Sequence, residues 1–192
     1  MRHLLIILSL IFTLGCVATS ENPLTSPGKE KMDSSILGTW FWQDENESGY
    51  IHIGLDRESR LLRIMMLDFD RNGELEVSEF SGHTSSLEGN SYLNIEWVRP
   101  ADEINGYMFL RYKVTEEKLG ISLMDVDVVE EAIKAGSLKG VLKSRDGSSC
   151  VRITEGQKKL QQFVLRNDEQ LFNEMKYLHR LKLPTTESEQ SP

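Results

Sequence analysis

Cysteine is nearly absent from this chain, with two in 192 residues. That excludes a disulfide-dense scaffold. Positive charge is also in short supply: 22 basic residues face 30 acidic ones, a formal net charge of -8. A protein that binds nucleic acid is normally basic, so no nucleic-acid partner is expected. The familiar chemical motifs are missing as well. There is no GxSxG elbow, no glycine-rich phosphate loop and no HExxH zinc pair. The histidines, His3, His52, His83 and His179, are scattered, and no spacing pairs one with an acid as a general base. No catalytic residues are assigned, and neither an enzyme nor a cofactor is expected. What is present is a globular composition, 39% hydrophobic and 27% charged. The length suits one domain of ordinary size, or a domain plus a tail.

The first residues read as an address. Arg2 and His3 form a short basic start, and Leu4 to Leu14 is an apolar stretch broken only by Ser9 and Thr13. It is too short to span a bilayer and fits the apolar region of a secretory signal. Gly15 then precedes Cys16. The run Thr13-Leu14-Gly15-Cys16 resembles the lipobox of bacterial lipoproteins, although Thr13 stands where that family usually has Leu. The resemblance implies a signal peptide over residues 1–15, a lipid-modified cysteine at Cys16 and an acyl-anchored protein of the cell envelope. The acyl chains, palmitate among them, make the membrane a partner. Val17 follows the cysteine where an Asp would imply inner-membrane retention, so the resemblance favours the outer membrane in a Gram-negative cell. Residues 16–35 are polar and carry two prolines, and are expected as a flexible tether. Residues 184–192 are expected as a disordered tail.

Residues 36–183 read as one domain. Apolar residues recur with period two: Ile51, Ile53 and Leu55; Leu93, Ile95 and Trp97; Met108, Leu110, Tyr112 and Val114; Leu119, Ile121 and Leu123. That period belongs to strands with one buried face. Asn72-Gly73, Asn105-Gly106 and Asp146-Gly147 are turn signals between them. The pattern predicts eight or nine strands, near 38–43, 49–55, 60–69, 74–81, 91–98, 106–114, 118–124, 138–143 and 150–154. So many consecutive antiparallel strands tend to close, because closure removes exposed edges. A mainly β fold is therefore expected, an up-and-down antiparallel barrel. A short inserted helix is capped by Asp127 and Glu130 and stopped by Gly136. Thr154 and Gln157 form a second capping box. The stripe Leu160, Phe163, Val164, Leu171, Phe172, Met175 and Leu178 predicts one or two C-terminal helices.

Gly38-Thr39-Trp40 resembles the Gly-x-Trp opening of lipocalin-like barrels, in which the Trp closes the barrel floor. Gly82 to Ser86, Tyr92-Leu93-Asn94 and Ala132 to Gly136 with Leu138-Lys139-Gly140 resemble a family of uncharacterised bacterial proteins. That second resemblance implies no activity.

Residues 68–80 match the calcium-binding EF-hand loop, with Asp68, Asp70, Asn72, Glu74 and Glu79 at ligand positions, Glu76 between them and Gly73 at the sharp turn. An EF-hand needs a helix on each side, and Gly82 with the serines around it makes a poor one. The competing reading is a β-hairpin turning at Asn72-Gly73, with or without a calcium ion on it. Cys150 has no thiol partner once Cys16 is modified, and reads as a small residue at a strand edge.

Three functions follow. The barrel holds a small apolar ligand against residues such as Trp40, Ile53, Ile95, Trp97 and Leu110. Alternatively, those residues are simply core, and a packed barrel acts on an envelope protein partner through its surface. The third is calcium binding over 68–79.

Overall fold

The structure is a computed structural model that describes residues 17–44, 48–69, 73–99, 105–145 and 148–182, the side chains of 143–145, 148 and 149 excepted. It is mainly β. Eight antiparallel strands close into a barrel. These are β2 (Gly38–Gln43), β3 (Ser48–Leu55), β4 (Leu62–Phe69), β5 (Leu75–Leu87), β6 (Asn90–Trp97), β7 (Met108–Val114), β8 (Lys118–Leu123) and β11 (Lys176–Arg180). Seven follow one another up and down, and β11 fills the gap between β8 and β2.

The last strand corrects the expected second C-terminal helix. Met175 and Leu178 fit a helical spacing, but helix α2 (Gln157–Leu171) ends before them. Lys176–Arg180 instead pairs with β8 on one side and β2 on the other, satisfying both of their open edges. The predicted strands near 138–143 and 150–154 exist as β9 (Gly140–Arg145) and β10 (Ser148–Ile153), but outside the barrel. They form a separate three-stranded sheet with β1 (Thr19–Ser20).

The capping residues also differ from expectation. Helix α1 (Val126–Lys134) is capped by Asp125, whose carboxylate accepts from the N–H groups of Asp127 and Val128. Gly136 does follow it, at φ +71°. Helix α2 starts at Gly156 without a side-chain cap, and Gln157 donates instead to the Pro23 carbonyl.

Two cores result. The first lies inside the barrel and includes Trp40, Trp42, Ile53, Ile64, Met66, Phe80, Leu93, Ile95 and Leu178. The second lies outside one wall, where Tyr92 and Phe109 point outward. There the insertion between β8 and β11 packs Val129, Leu138, Val151, Leu160 and Val164 against them. The strand alternation explains both cores: β6 and β7 offer one apolar set to each face.

Residues 17–37 are no loose tether. They run along the outer wall as a strap. Ser20 exchanges backbone hydrogen bonds with Tyr107, the Leu24 N–H donates to Asn94 Oδ1 at 2.7 Å, and Thr25 bonds to Ser85. Ala18, Ser20 and Leu24 are buried. Polar composition misleads here because the strap is held mostly by backbone and short polar side chains. All members of both cores lie between Val17 and Leu178, so residues 17–192 carry the whole described fold.

Candidate functional site

The barrel has a closed end and a mouth. At the closed end the strap turns through a short 3-10 helix, Ser34–Ile36, into β2. Trp40 is fully buried there, and its Nε1 donates to the Ile36 carbonyl at 2.9 Å. Arg180, the last residue of β11, lies over the Trp40 ring, 3.9 Å from its centroid. Its guanidinium donates to the carbonyls of Ser35, Leu37 and Glu116. One planar cation thus ties the 3-10 helix, the first strand and the β7–β8 turn together. Trp40 is a floor residue, as Gly-Thr-Trp suggested. Arg180 had no signal in the sequence, since its residues were read as helical.

The other four candidate lining residues also face inward. Ile53 and Ile95 are buried members of the inner core, while Trp97 and Leu110 are partly buried against it. Ile51 and Ile121 have the same inward parity and the same partial burial. Trp97 ends β6 at the mouth, whereas Ile51, Leu110 and Ile121 lie within their strands.

The register sets the width of the barrel. From Gly38 the paired row runs through Ile53, Ile64, Phe80 and Trp97. Carried on by the remaining registers, it re-enters β2 about twelve residues from its start. An eight-stranded barrel with a stagger of about eight is filled by side chains. A larger stagger tilts the strands more and widens the barrel.

Polar groups enter the interior near the mouth. Trp42, Asp68 and Ser78 share the inward parity and are 8%, 9% and 4% exposed. Trp42 lies across Gly49, where an added Cβ would sit 2.3 Å from its ring. The sequence motif assigns Asp68 to a calcium loop.

That loop is a hairpin: strands β4 and β5 flank it. Asp68 faces inward opposite Glu76, whereas Glu79 faces outward opposite Met65 and pairs with Arg63. These two ligand candidates therefore do not converge. Glu74 is exposed beside Gly73, and Asp70 and Asn72 lie outside the described residues. Among the described residues no group of three or more His, Cys, Asp or Glu is placed to hold a metal. Cys16 also lies outside the described residues. No described helix is long and apolar enough to cross a membrane.

The remaining candidates are accounted for by packing. His52 points outward and bonds to Thr39. His179 is on the outer face of β11 beside Phe41. Buried His83 donates from Nε2 to the Thr25 carbonyl at 2.6 Å and so pins the strap. Burial lowers its pKa below the usual value, against the opposing pull of the Thr25 carbonyl and Glu30. Cys150 is a free thiol in β10. A half-open polar cleft of about 270 Å³ lies near the closed end between Asp33, Asn90, Arg111 and Lys113. Its Arg111 is already engaged by Asp168 at 2.6 Å.

Comparison with models of protein families, with curated proteins and with solved structures finds no match to this chain.

Proposed function

We propose that this protein is a lipid-anchored module of the cell envelope that holds one small apolar ligand in its barrel and carries out no reaction. The observation that carries the reading is the partial burial of Ile51, Trp97, Leu110 and Ile121, all inward-facing. A wide barrel, closed at Trp40 and Arg180 and apolar within, suits a ligand of that kind. The anchor is Cys16. Val17 packs against the inner core and Thr19 already pairs with Arg152, so an acylated Cys16 would hold the barrel close to the bilayer, with almost no slack.

The test is native mass spectrometry of residues 17–192, secreted and purified without detergent. A retained organic mass is expected. A bare polypeptide that also fails to take up any added apolar molecule would defeat the carrier reading. For the anchor, wild type is expected with membranes and Cys16→Ala in the soluble fraction. Membrane fractionation of the variant would defeat that part.

A second reading has its own observation. Phe41, Tyr50, Leu67 and Val77 form one outward row across β2 to β5, with Met65 and Leu75 beside it. Val77 is 56% exposed and Leu75 52%. A contiguous exposed apolar face of this kind favours an interaction surface for an envelope protein.

A further inference from the structure

The described chain enters the fold at the mouth of the barrel, not at its floor. β2 starts at the floor, beside the 3-10 helix. Every barrel strand is antiparallel to its neighbours. So β2, β4, β6 and β8 end at the mouth, and β3, β5, β7 and β11 begin there. Tyr107 directly precedes β7 and therefore stands at the mouth. Ser20 exchanges two backbone hydrogen bonds of 2.8 Å with it. Val17, just before Ser20 in the chain, packs against the inner core. From there the strap runs along the wall, and it reaches the floor only at Ile36.

Cys16 is the next residue outward, with its Cα about 3.8 Å from that of Val17. An acyl anchor there has no tether with which to turn the barrel over. Strands β3, β4 and β6 are each 8 residues long. That is about 26 Å of backbone, or about 20 Å along the axis at a tilt of about 40°. The floor therefore lies well beyond the reach of one peptide unit. A floor-down pose would need the strap to peel from Asn94, Ser85 and His83, which hold it to the wall. We infer that the mouth end of the barrel rests on the bilayer that holds Cys16, with the Trp40–Arg180 floor turned away. The inference rests on the anchor proposed above and does not need the carrier part of that reading.

A second observation supports lipid at this end. β5 begins at Leu75, but its ladder with β6 begins only at Phe80. The first part of β5, paired with the last part of β4, projects past the end of β6. Leu67 and Phe69 stand opposite Val77 and Leu75 on the outer side of this hairpin. Leu75 is 52% exposed and Val77 56%. Apolar side chains on a projecting edge suit the boundary between headgroups and acyl chains. Asp44 and Glu74 are exposed at the same end, so a neutral lipid surface suits it better than an anionic one.

The experiment places the acylated chain, residues 16–192, on phosphatidylcholine vesicles whose headgroups carry a nitroxide quencher. With Cys150→Ser in place, Leu75→Cys puts a single fluorescent label at the mouth. Glu58→Cys, in the turn between β3 and β4, puts it at the floor end. Both positions are exposed, so neither substitution opens a core, and Val77→Cys repeats the mouth position. Flotation with the vesicles is read first. Protein that does not float defeats the anchor, and the orientation with it. In protein that floats, the mouth label is expected to lose most of its emission and the floor label to keep its own. Loss at Glu58 alone, equal loss at both ends, or loss at neither overturns the orientation and leaves the anchor standing. Loss at neither also returns the apolar hairpin to the protein partner of the second reading.

Discussion

The guanidinium of Arg180 lies 3.9 Å from the centroid of the Trp40 ring and donates to three carbonyls around it. The contact joins the last barrel strand to the first. Arg180→Ala removes the stacked cation and leaves the carbonyls of Ser35, Leu37 and Glu116 without this donor. A loss of about 2–4 kcal/mol is expected. Arg180→Lys keeps the charge but not the planar fork, so it is expected to recover less than half of that. Urea unfolding followed by tryptophan fluorescence measures both. Equal stability of the alanine variant and the wild type would show that the floor holds without Arg180.

Asp168 does for the outer wall what Arg180 does for the floor. It is a buried member of α2. It accepts from the Tyr92 hydroxyl at 2.5 Å and pairs with Arg111 at 2.6 Å. Burial, and then Asp168 itself, push the Tyr92 hydroxyl pKa upward, so the tyrosine remains a donor. Asp168→Ala leaves the partly buried Arg111 without its carboxylate and is expected to cost about 3–5 kcal/mol. Tyr92→Phe loses one hydrogen bond and is expected to cost about 1–2 kcal/mol. Amide exchange should rise first in α2 in both variants. Protection lost evenly across the barrel would contradict the clamp.

The barrel walls were legible in the sequence because each strand carries its own period-two record. Ile51 and Ile53 announce β3 without reference to any other residue. The inward parity of Ile95 and Trp97 was legible for the same reason, since alternation alone puts the two on one face of β6; Leu110 joins that face only through the β6–β7 register. Closure was not legible. Lys176–Arg180 becomes a strand only because β8 and β2 present open edges on either side. Its single buried apolar residue, Leu178, fits a helix stripe equally well. The strap was hidden too. Its contacts run from Leu24 to Asn94 and from Thr25 to Ser85, pairs that no local pattern connects. Asp68 was seen as a charge on a turn because the loop motif masked its inward parity with Leu62, Ile64 and Met66.

The strap gives the protein a response to pH. His83 holds it through the Thr25 carbonyl. Burial depresses the His83 pKa below 6.5, and the Thr25 carbonyl and the nearby Glu30 only partly offset this. The unfolded chain therefore binds this proton more readily than the folded one. The stability that neutral His83 contributes is complete above pH 6.5 and is lost as pH falls through the lower folded value. Asp33 acts later. Burial raises its pKa, but hydrogen bonds from Ser35 and Tyr112 outweigh that and leave it below 3.8. Its contribution is lost only under more acid conditions. Thermal melts should show a first drop below about pH 6.5 that His83→Gln abolishes. An unchanged first drop in the variant would place that titration elsewhere.

Gly49 and Gly54 lie in the same strand and offer a controlled comparison. A Cβ on Gly49 would meet the Trp42 ring at 2.3 Å and the Leu67 carbonyl at 2.4 Å. The carbonyl belongs to the neighbouring strand and cannot step aside, so the indole must move. Gly49→Ala is expected to cost at least about 1–3 kcal/mol and to change the near-ultraviolet dichroism of the tryptophans. A Cβ on Gly54 has its nearest neighbour, His52, at 3.6 Å. Gly54→Ala is therefore expected to be neutral or to stabilise by up to about 1 kcal/mol, through the unfolded chain. The pair separates the backbone effect of losing a glycine from the steric effect of displacing Trp42. Should both variants melt alike, the indole does not depend on the space above Gly49.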